Sequence, residues 1–202
     1  MKTTGILIGL MIVFSQAFSQ FDKTAELQKS AEFHEELNAE FADPETSPLM
    51  QNDREHFDGL KFFPLNGDFC FEADFVRTPH EPPFMMKRTR DEVKYVKYGE
   101  VYFTYKGKEY MLNVYRNLKF YERGQYMDYL FLPFTDLTNG ETTYGGGRYL
   151  DLTVPEGKTM VIDFNRAYNP LCAYNKKYSC PIVPRENDLP IAIEAGVKAF
   201  HH

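Results

Sequence analysis

The sequence predicts a mainly β protein, an antiparallel β-sandwich or partly open barrel with one N-terminal helix and a long C-terminal loop tied by a disulfide. Beyond Leu60, apolar and polar residues alternate with the period of two that strands require. The chain has 18 Phe and 14 Tyr but no Trp, and these aromatic residues favour strands. It also has 13 Gly and 12 Pro, which are typical of turns between strands.

The first nineteen residues have the pattern of a cleavable signal peptide. Lys2 supplies a positive charge, residues 5–14 are apolar, and small residues stand at Ala17 and Ser19. We therefore expect cleavage before Gln20 and export to the periplasm or the exterior, with no membrane anchor left after cleavage. The alternative for this stretch is a buried core helix, since the apolar run is too short to span a membrane.

After the signal peptide we expect an N-terminal helical segment over residues 20–59 and a β domain over residues 60–202. A helix is predicted at 23–41 because its apolar residues recur at helical spacing. That stripe consists of Leu27, Ala31, His34, Leu37 and Phe41. A second short helix is predicted to begin at Ser47, with Pro48 in its first turn.

Strands are predicted at residues 69–76, 93–97, 99–105, 129–134 and 189–194. Lys106 and Gly107 make a two-residue hairpin turn, which places Val101 opposite Leu112 and Phe103 opposite Tyr110. The apolar faces agree in this register. The strand at 129–134 is almost entirely apolar, so we expect it inside the sheet.

A further hairpin is predicted over residues 148–165, with a three-residue loop at 155–157. In this register the apolar residues of both strands share one face, and Gly147 lies opposite Asn165. The opposite face carries Tyr149, Asp151, Thr153, Val161, Asp163 and Asn165. That face is either a solvated side of the sheet or part of a functional site.

The cysteines predict a disulfide and argue against metal or cofactor chemistry. Cys172 and Cys180 lie eight residues apart in an aperiodic loop of a chain expected to be exported, a setting in which disulfides form. The alternatives are half of a metal site or a reactive thiol. Cys70 is expected to be a small buried residue. The five histidines show no ligand spacing, so we expect no metal, no cofactor and no histidine-based hydrolysis.

Carboxylates and one arginine are the remaining candidates for chemistry. Asp151 and Asp163, or Asp136 and Glu141, could form acid–base pairs. Arg148 follows three glycines and could bind an anion through its guanidinium. The alternative is that Arg148 pairs with Asp136 or Glu141 inside the fold.

Three segments resemble the family called domain of unknown function 1684. They are FDGLKFFPLN at residues 57–66, PFTDLTNGETTYGGGRYLDL ending at Leu152, and DFNRAYNPLCAYNKKYSCPIVPRENDLPIAIEAG at residues 163–196. Val197 departs from the Glu that is usual in the family. The resemblance implies no established activity, but it implies one shared patch. Its residues are Asp136, Thr143, Tyr144, Gly146, Arg148, Asp163, Asn165, Tyr168, Asn169, Cys172, Tyr174, Asn175, Cys180 and Asn187.

Two functions are compatible with these residues. One is a ligand-binding or structural module whose polar pocket is lined by Arg148, Asp163, Asn165, Tyr168, Asn169 and Asn175, and which takes a small anionic or polar ligand. The other is a hydrolase-like enzyme with Asp163 or Asp151 as general base and Arg148 stabilising negative charge. A formal net charge of −6 without a basic run disfavours nucleic acid as a partner.

Overall fold

The computed structural model describes residues 21–200, so the predicted signal peptide at 1–19 lies outside the described residues. The helices are α1 (Lys23–Ala42), α2 (Gln51–Glu55) and α3 (Leu118–Tyr121). The strands are β1 (Cys70–Arg77), β2 (Phe84–Lys87), β3 (Glu92–Tyr105), β4 (Lys108–Asn117), β5 (Tyr129–Phe134), β6 (Arg148–Thr153) and β7 (Thr159–Asp163). None of the helices within residues 21–200 has the length and apolar character needed to cross a bilayer.

The seven strands form one antiparallel sheet that curves into a half-barrel, which bears out the mainly β prediction. The strand order is β6-β5-β4-β3-β1-β7, and β2 pairs with β3 beside this path. The strand predicted at 129–134 is β5, which lies inside the sheet between β4 and β6.

The hairpin of β3 and β4 confirms the predicted register. Val101 lies opposite Leu112 and Phe103 opposite Tyr110. Lys106 and Gly107 both have positive φ, at 49° and 76°, as the two-residue turn that matches strand twist requires. The two strands predicted at 93–97 and 99–105 are one strand, β3, with a bulge between Lys97 and Gly99.

The predicted hairpin of residues 148–165 is wrong in its pairing and right in its faces. β6 pairs with β5, and β7 pairs with β1 at the other end of the strand order. Leu150 and Ile162 nevertheless contribute to the same apolar core. Alternation determines which face a residue occupies but leaves the neighbouring strand undetermined, and the curved sheet allows distant strands to share a core.

The prediction of a last strand at residues 189–194 is also wrong, because this stretch has no regular secondary structure. Its first residue bonds through its backbone to the chain after β5, where the Leu189 amide donates to the Thr135 carbonyl at 2.8 Å. Such a hydrogen bond provides a partner for a buried backbone group although the segment forms no strand.

Helix α1 confirms the helix predicted at 23–41, and Asp22 caps it by accepting from the Thr24 and Ala25 amides. The second helix begins later than predicted. It starts at Gln51 because the Ser47 hydroxyl accepts from the Leu49 amide at 3.3 Å in a local turn.

Strands β5 and β6 each present two different faces. Leu130, Leu132, Leu150 and Leu152 belong to the core. The other face, which we call the aromatic face, consists of Tyr129, Phe131, Tyr149 and Asp151. It is the surface on which the candidate site is built.

Candidate functional site

The aromatic face of β5 and β6 borders a cavity of about 410 Å³, which we call the Asp151 cavity. Its other walls come from helix α1, from Tyr95 of β3 and from the loop after β7. The lining residues outside the aromatic face are Phe33, Leu37, Glu40, Phe41, Arg88, Tyr95, Phe120, Tyr168, Asn169, Pro170, Leu171, Tyr174, Ser179, Cys180 and Pro181.

Aromatic rings in the cavity wall pack mainly edge to face. The Phe131 and Tyr149 centroids are 4.8 Å apart at an interplanar angle of 74°, and those of Tyr149 and Tyr168 are 5.9 Å apart at 89°. The ring centroids of Tyr95 and Phe131 are 5.9 Å apart. Such pairs are favourable because the positive ring edge meets the negative ring face. The result is a wall with a defined shape.

Asp151 and Glu40 are the carboxylates that line this cavity, and Asp151, on the aromatic face, remains exposed to solvent. The Tyr129 hydroxyl donates to Asp151 Oδ1 at 2.7 Å, and the Tyr168 hydroxyl donates to the same oxygen at 2.6 Å. Within residues 21–200, Oδ2 receives no hydrogen bond. A carboxylate has about four acceptor positions, so Asp151 retains capacity for a further donor.

The surroundings of Asp151 alter its acidity. The rings around it reduce its hydration and raise the pKa of Asp151, whereas the hydrogen bonds from Tyr168 and Tyr129 act in the opposite direction. Burial also raises the pKa of both tyrosines, so they stay protonated and act as donors. The carboxylate is therefore held in place by two neutral groups.

Tyr168 reaches the cavity because the chain after β7 returns to the edge of β6. The Tyr149 amide donates to the Tyr168 carbonyl at 2.9 Å, and the Tyr168 amide donates back to the Tyr149 carbonyl at 3.1 Å. This isolated bridge covers the free edge of β6. It also sets the tyrosine hydroxyl beside Asp151.

Arg148 lies away from the cavity, inside the fold. Its guanidinium pairs with Asp136 at 2.9 Å, and both side chains have no exposed surface. It also donates to the Ile193 carbonyl at 2.8 Å and to the Ala195 carbonyl. Of the two alternatives for Arg148, the structure has the internal pair with Asp136; Glu141 is exposed and is not among its partners. No surface of Arg148 is open to an anion.

Asp163 and Asn165 form a closed network under α1. Asp163 accepts from the amide and the side chain of Asn165 at 2.9 and 2.7 Å, and from the Ser30 hydroxyl. Asn165 in turn exchanges two 2.9 Å hydrogen bonds with the backbone of Asn66. His34 adds a contact of 2.7 Å to the Asn165 carbonyl. The polar groups of this network hydrogen-bond to one another, and through Ser30 and His34 they attach α1 to the sheet.

The other asparagines of the predicted pocket also bind the protein's own backbone. Asn169 donates to the Lys198 carbonyl at 2.9 Å and to the Tyr174 hydroxyl at 3.2 Å, and Asn175 donates to the Pro48 carbonyl at 3.2 Å. Asn187 is fully buried and bonds to the backbone of two strands. Of the predicted site residues, Asp151, Tyr168, Asn169, Tyr174 and Cys180 line the Asp151 cavity.

The glycine loop before β6 forms a turn. The Thr143 hydroxyl contacts that of Thr138 at 2.8 Å, and Tyr144 packs its ring against Gly146. Gly147 has φ +88°, and a Cβ there would stand 2.6 Å from the Phe134 carbonyl. The glycine is therefore required by the close approach of two backbones.

The structure does not support the predicted disulfide between Cys172 and Cys180. Both are free thiols, and the Cys172 amide donates to Cys180 Sγ at 3.1 Å. That hydrogen bond and a 3₁₀ turn at Leu171–Ala173 close the loop instead. A short sequence separation permits a bridge but does not bring the two sulfurs to bonding distance.

The two thiols differ strongly in acidity. A hydrogen bond from Cys180 lowers the pKa of Cys172 to about 6, assisted by Tyr144, whose hydroxyl is 3.9 Å from Cys172 Sγ. The same interaction raises the pKa of Cys180. Cys70 is the buried residue that was expected, and burial raises its pKa to about 12.

Most of the cavity wall was not predicted from the sequence, including Tyr95, Phe131 and Arg88. The signal was present in the alternation of Tyr129 and Phe131 within β5. This alternation indicates a shared aromatic face only when β5 and β6 are known to be neighbours, with Phe131 opposite Asp151. Among the residues that the structure describes, no group of three or more His, Cys, Asp or Glu side chains is placed to hold a metal ion.

Comparison with known proteins supports the fold and leaves the chemistry open. A family model described as "Protein of unknown function (DUF1684)" matches residues 55–198. The solution NMR structure of an uncharacterised protein of Haloarcula marismortui is similar, with a TM-score of 0.67 and 31% sequence identity over 87% of this chain and 95% of that one. No curated protein matches the sequence.

Proposed function

The chain belongs to the DUF1684 family of proteins of unknown function, and from its cavity we propose that it binds a small molecule with an apolar body and a hydrogen-bond donor placed on Asp151. The single observation that carries this proposal is the open oxygen of Asp151, Oδ2, inside a wall of aromatic rings. An ionised carboxylate only accepts hydrogen bonds, so its complement is a donor.

The size and composition of the Asp151 cavity support a small ligand. Ligand sites are typically about 300–1,000 Å³, mostly apolar, with a few polar groups that fix orientation. The Asp151 cavity has a volume of about 410 Å³. Its aromatic rings supply apolar contact area, and the hydrogen bond to Asp151 would fix the orientation of the ligand.

The cavity is a better candidate than the predicted pocket around Arg148. Arg148 and Asp163 bond to groups of the protein itself and have almost no exposed surface, so a ligand cannot reach them. Asp151 is exposed and retains acceptor capacity. A ligand gains most where a polar group lacks a partner and can be reached, which favours Asp151 over the buried pair.

Fragment screening by ligand-observed NMR tests this proposal. We expect fragments with a ring and a donor group to bind the wild-type protein and to lose affinity in Asp151→Asn and Tyr168→Phe. Asp74→Asn is the matched control, because Asp74 is an exposed carboxylate on β1 outside this cavity. Binding that survives Asp151→Asn, or that is lost equally in the control, would contradict the proposal.

A catalytic use of Asp151 is the second candidate, because its raised pKa suits a general base. An enzyme of this kind would convert a bound ester or amide, and Asp151→Asn would abolish turnover while binding of the product remained. Binding without turnover of any bound fragment assigns the cavity to recognition alone.

Export is a separate proposal, supported by the charge, the apolar run and the small residues of the first nineteen positions. Expression of the full chain in a bacterium, followed by fractionation and mass spectrometry, tests it. We expect a periplasmic or extracellular protein that begins at Gln20. A protein that retains residues 1–19 and stays in the cytoplasm would contradict it.

A further inference from the structure

We infer that the ligand of the Asp151 cavity is a cation, specifically a protonated primary or secondary amine with an aromatic or alkyl body. This inference rests on the proposed function and names its ligand class. Three observations carry it: a carboxylate without a cationic partner, a cavity wall rich in aromatic rings, and an excess of negative charge along that wall.

The first observation is that Asp151 lacks a counter-ion. No ion pair among residues 21–200 involves Asp151, and its two hydrogen bonds come from the neutral hydroxyls of Tyr129 and Tyr168. Asp151 is reachable from solvent, and a charged donor binds a carboxylate about twice as strongly as a neutral donor does. An ammonium group supplies a positive charge and an N–H donor to Oδ2 at once. A neutral hydroxyl supplies the donor alone.

The second observation is the arrangement of rings around the carboxylate. Tyr95, Phe131 and Tyr149 lie on the same face of the sheet, and Tyr168 crosses Tyr149 at 89°. Cations are attracted to the negative faces of such rings, and a cage of several rings is the usual device for binding ammonium groups. Phe131 has no polar atom, so its contribution to binding is limited to its ring.

The third observation is the charge of the wall. Glu40 of α1 and Asp151 are the negative lining residues, and Arg88 is the cationic one in the described part of the chain. The charge of Arg88 is offset by Asp91, whose Oδ2 lies 3.4 Å from Arg88 Nη1, and the guanidinium also donates to the Ser179 carbonyl. The field inside the cavity therefore favours a cation and disfavours an anion.

Matched ligand triplets separate this inference from the proposed function. Each triplet keeps the body constant and changes the head group, as in benzylamine, benzyl alcohol and benzoate. A second triplet uses phenethylamine, its alcohol and its acid. Affinities are measured by NMR titration at neutral pH against wild-type protein, Asp151→Asn, Glu40→Gln and the control Asp74→Asn, with melting temperatures recorded to confirm folding.

We expect the amine of each triplet to bind about tenfold or more tightly than its alcohol, with no binding of the acid. Asp151→Asn should remove the preference for the amine, Glu40→Gln should weaken it, and Asp74→Asn should leave it unchanged. Equal affinity for amine and alcohol, or a preference for the acid, overturns the cationic ligand while the proposed function stands. If no member of any triplet and no fragment binds at the cavity, both fail.

Discussion

The hydroxyl of Tyr168 lies 2.6 Å from the carboxylate of Asp151, although Tyr168 belongs to an irregular loop and Asp151 to strand β6. The paired backbones of Tyr149 and Tyr168 hold the two elements together. A rigid sheet thus supplies the carboxylate, and the long loop supplies the donor that orients it. Loops that carry binding groups on a rigid scaffold are common at functional sites.

Asp151→Asn is expected to keep or raise stability at neutral pH. The pKa of Asp151 is raised in the folded state, so folding holds its proton more tightly than the unfolded chain does. Its contribution to the free energy of unfolding is therefore largest below the unfolded pKa and is lost as pH rises through the folded pKa. Urea titrations from pH 3 to pH 8 measure this. A loss of stability in Asp151→Asn that grows with pH would contradict the assignment.

The pair of Arg148 and Asp136 is expected to be structural. Both side chains are without exposed surface, so Asp136→Asn leaves a buried guanidinium without its counter-charge. We expect a loss of about 3–5 kcal/mol in the free energy of unfolding. Urea denaturation measures it, with Asp74→Asn as the exposed control. A loss below about 0.5 kcal/mol would mean that Arg148 does not depend on Asp136.

Gly147→Ala tests the close approach of the glycine loop to β5. Gly147 has φ +88°, and an added Cβ would stand 2.6 Å from the Phe134 carbonyl. We expect a destabilisation of about 1–3 kcal/mol. Gly157→Ala is the matched control, since nothing lies within 4 Å of its Cβ position and its φ is not in the left-handed region. Equal melting temperatures for the two variants would contradict the packing at Gly147.

Cys172 is expected to be the reactive thiol of the native protein. The hydrogen bond from Cys180 lowers the pKa of Cys172, whereas burial raises that of Cys70 to about 12, so Cys172 is the stronger nucleophile near neutral pH. Alkylation by iodoacetamide, located by mass spectrometry, should label Cys172 first, with a rate that levels off above about pH 7. A rate that continues to rise to pH 9 would contradict the lowered pKa.

Cys180→Ser probes the cause of that reactivity, because the hydrogen bond from Cys180 is the largest influence on Cys172. A hydroxyl retains part of the donor, so the apparent pKa of Cys172 should rise less in Cys180→Ser than in Cys180→Ala. The unfolded protein should give three free thiols; one thiol would show that Cys172 and Cys180 form a bridge.

Local patterns predicted the elements of the fold better than their arrangement. The positions of α1, β1 and β5 and the turn at Lys106 follow from periodicity and turn chemistry, which act over a few residues. The partners of β6 and β7 do not follow from them, because alternation is satisfied equally by any neighbour of the right polarity. Long-range pairing is determined by the packing of the whole half-barrel.

The candidate site shows the same division. Asp151 was a candidate from its place opposite the apolar face of β6, and Tyr168 from the resemblance to a known family. Their contact depends on an isolated bridge that no local pattern indicates. Arg148 was ambiguous for a related reason, since the same guanidinium serves an anion site or a buried ion pair, and burial decides between them.

Whether the Asp151 cavity binds an amine is tested most directly by an NMR titration of ¹⁵N-labelled protein with benzylamine, in wild type and in Asp151→Asn. We expect shift changes at the amides of β5, β6 and residues 168–181 in the wild type, and binding weaker by about tenfold or more in the variant while its spectrum remains that of a folded protein. Shift changes confined to another surface, or unchanged binding by Asp151→Asn, would contradict amine binding at Asp151.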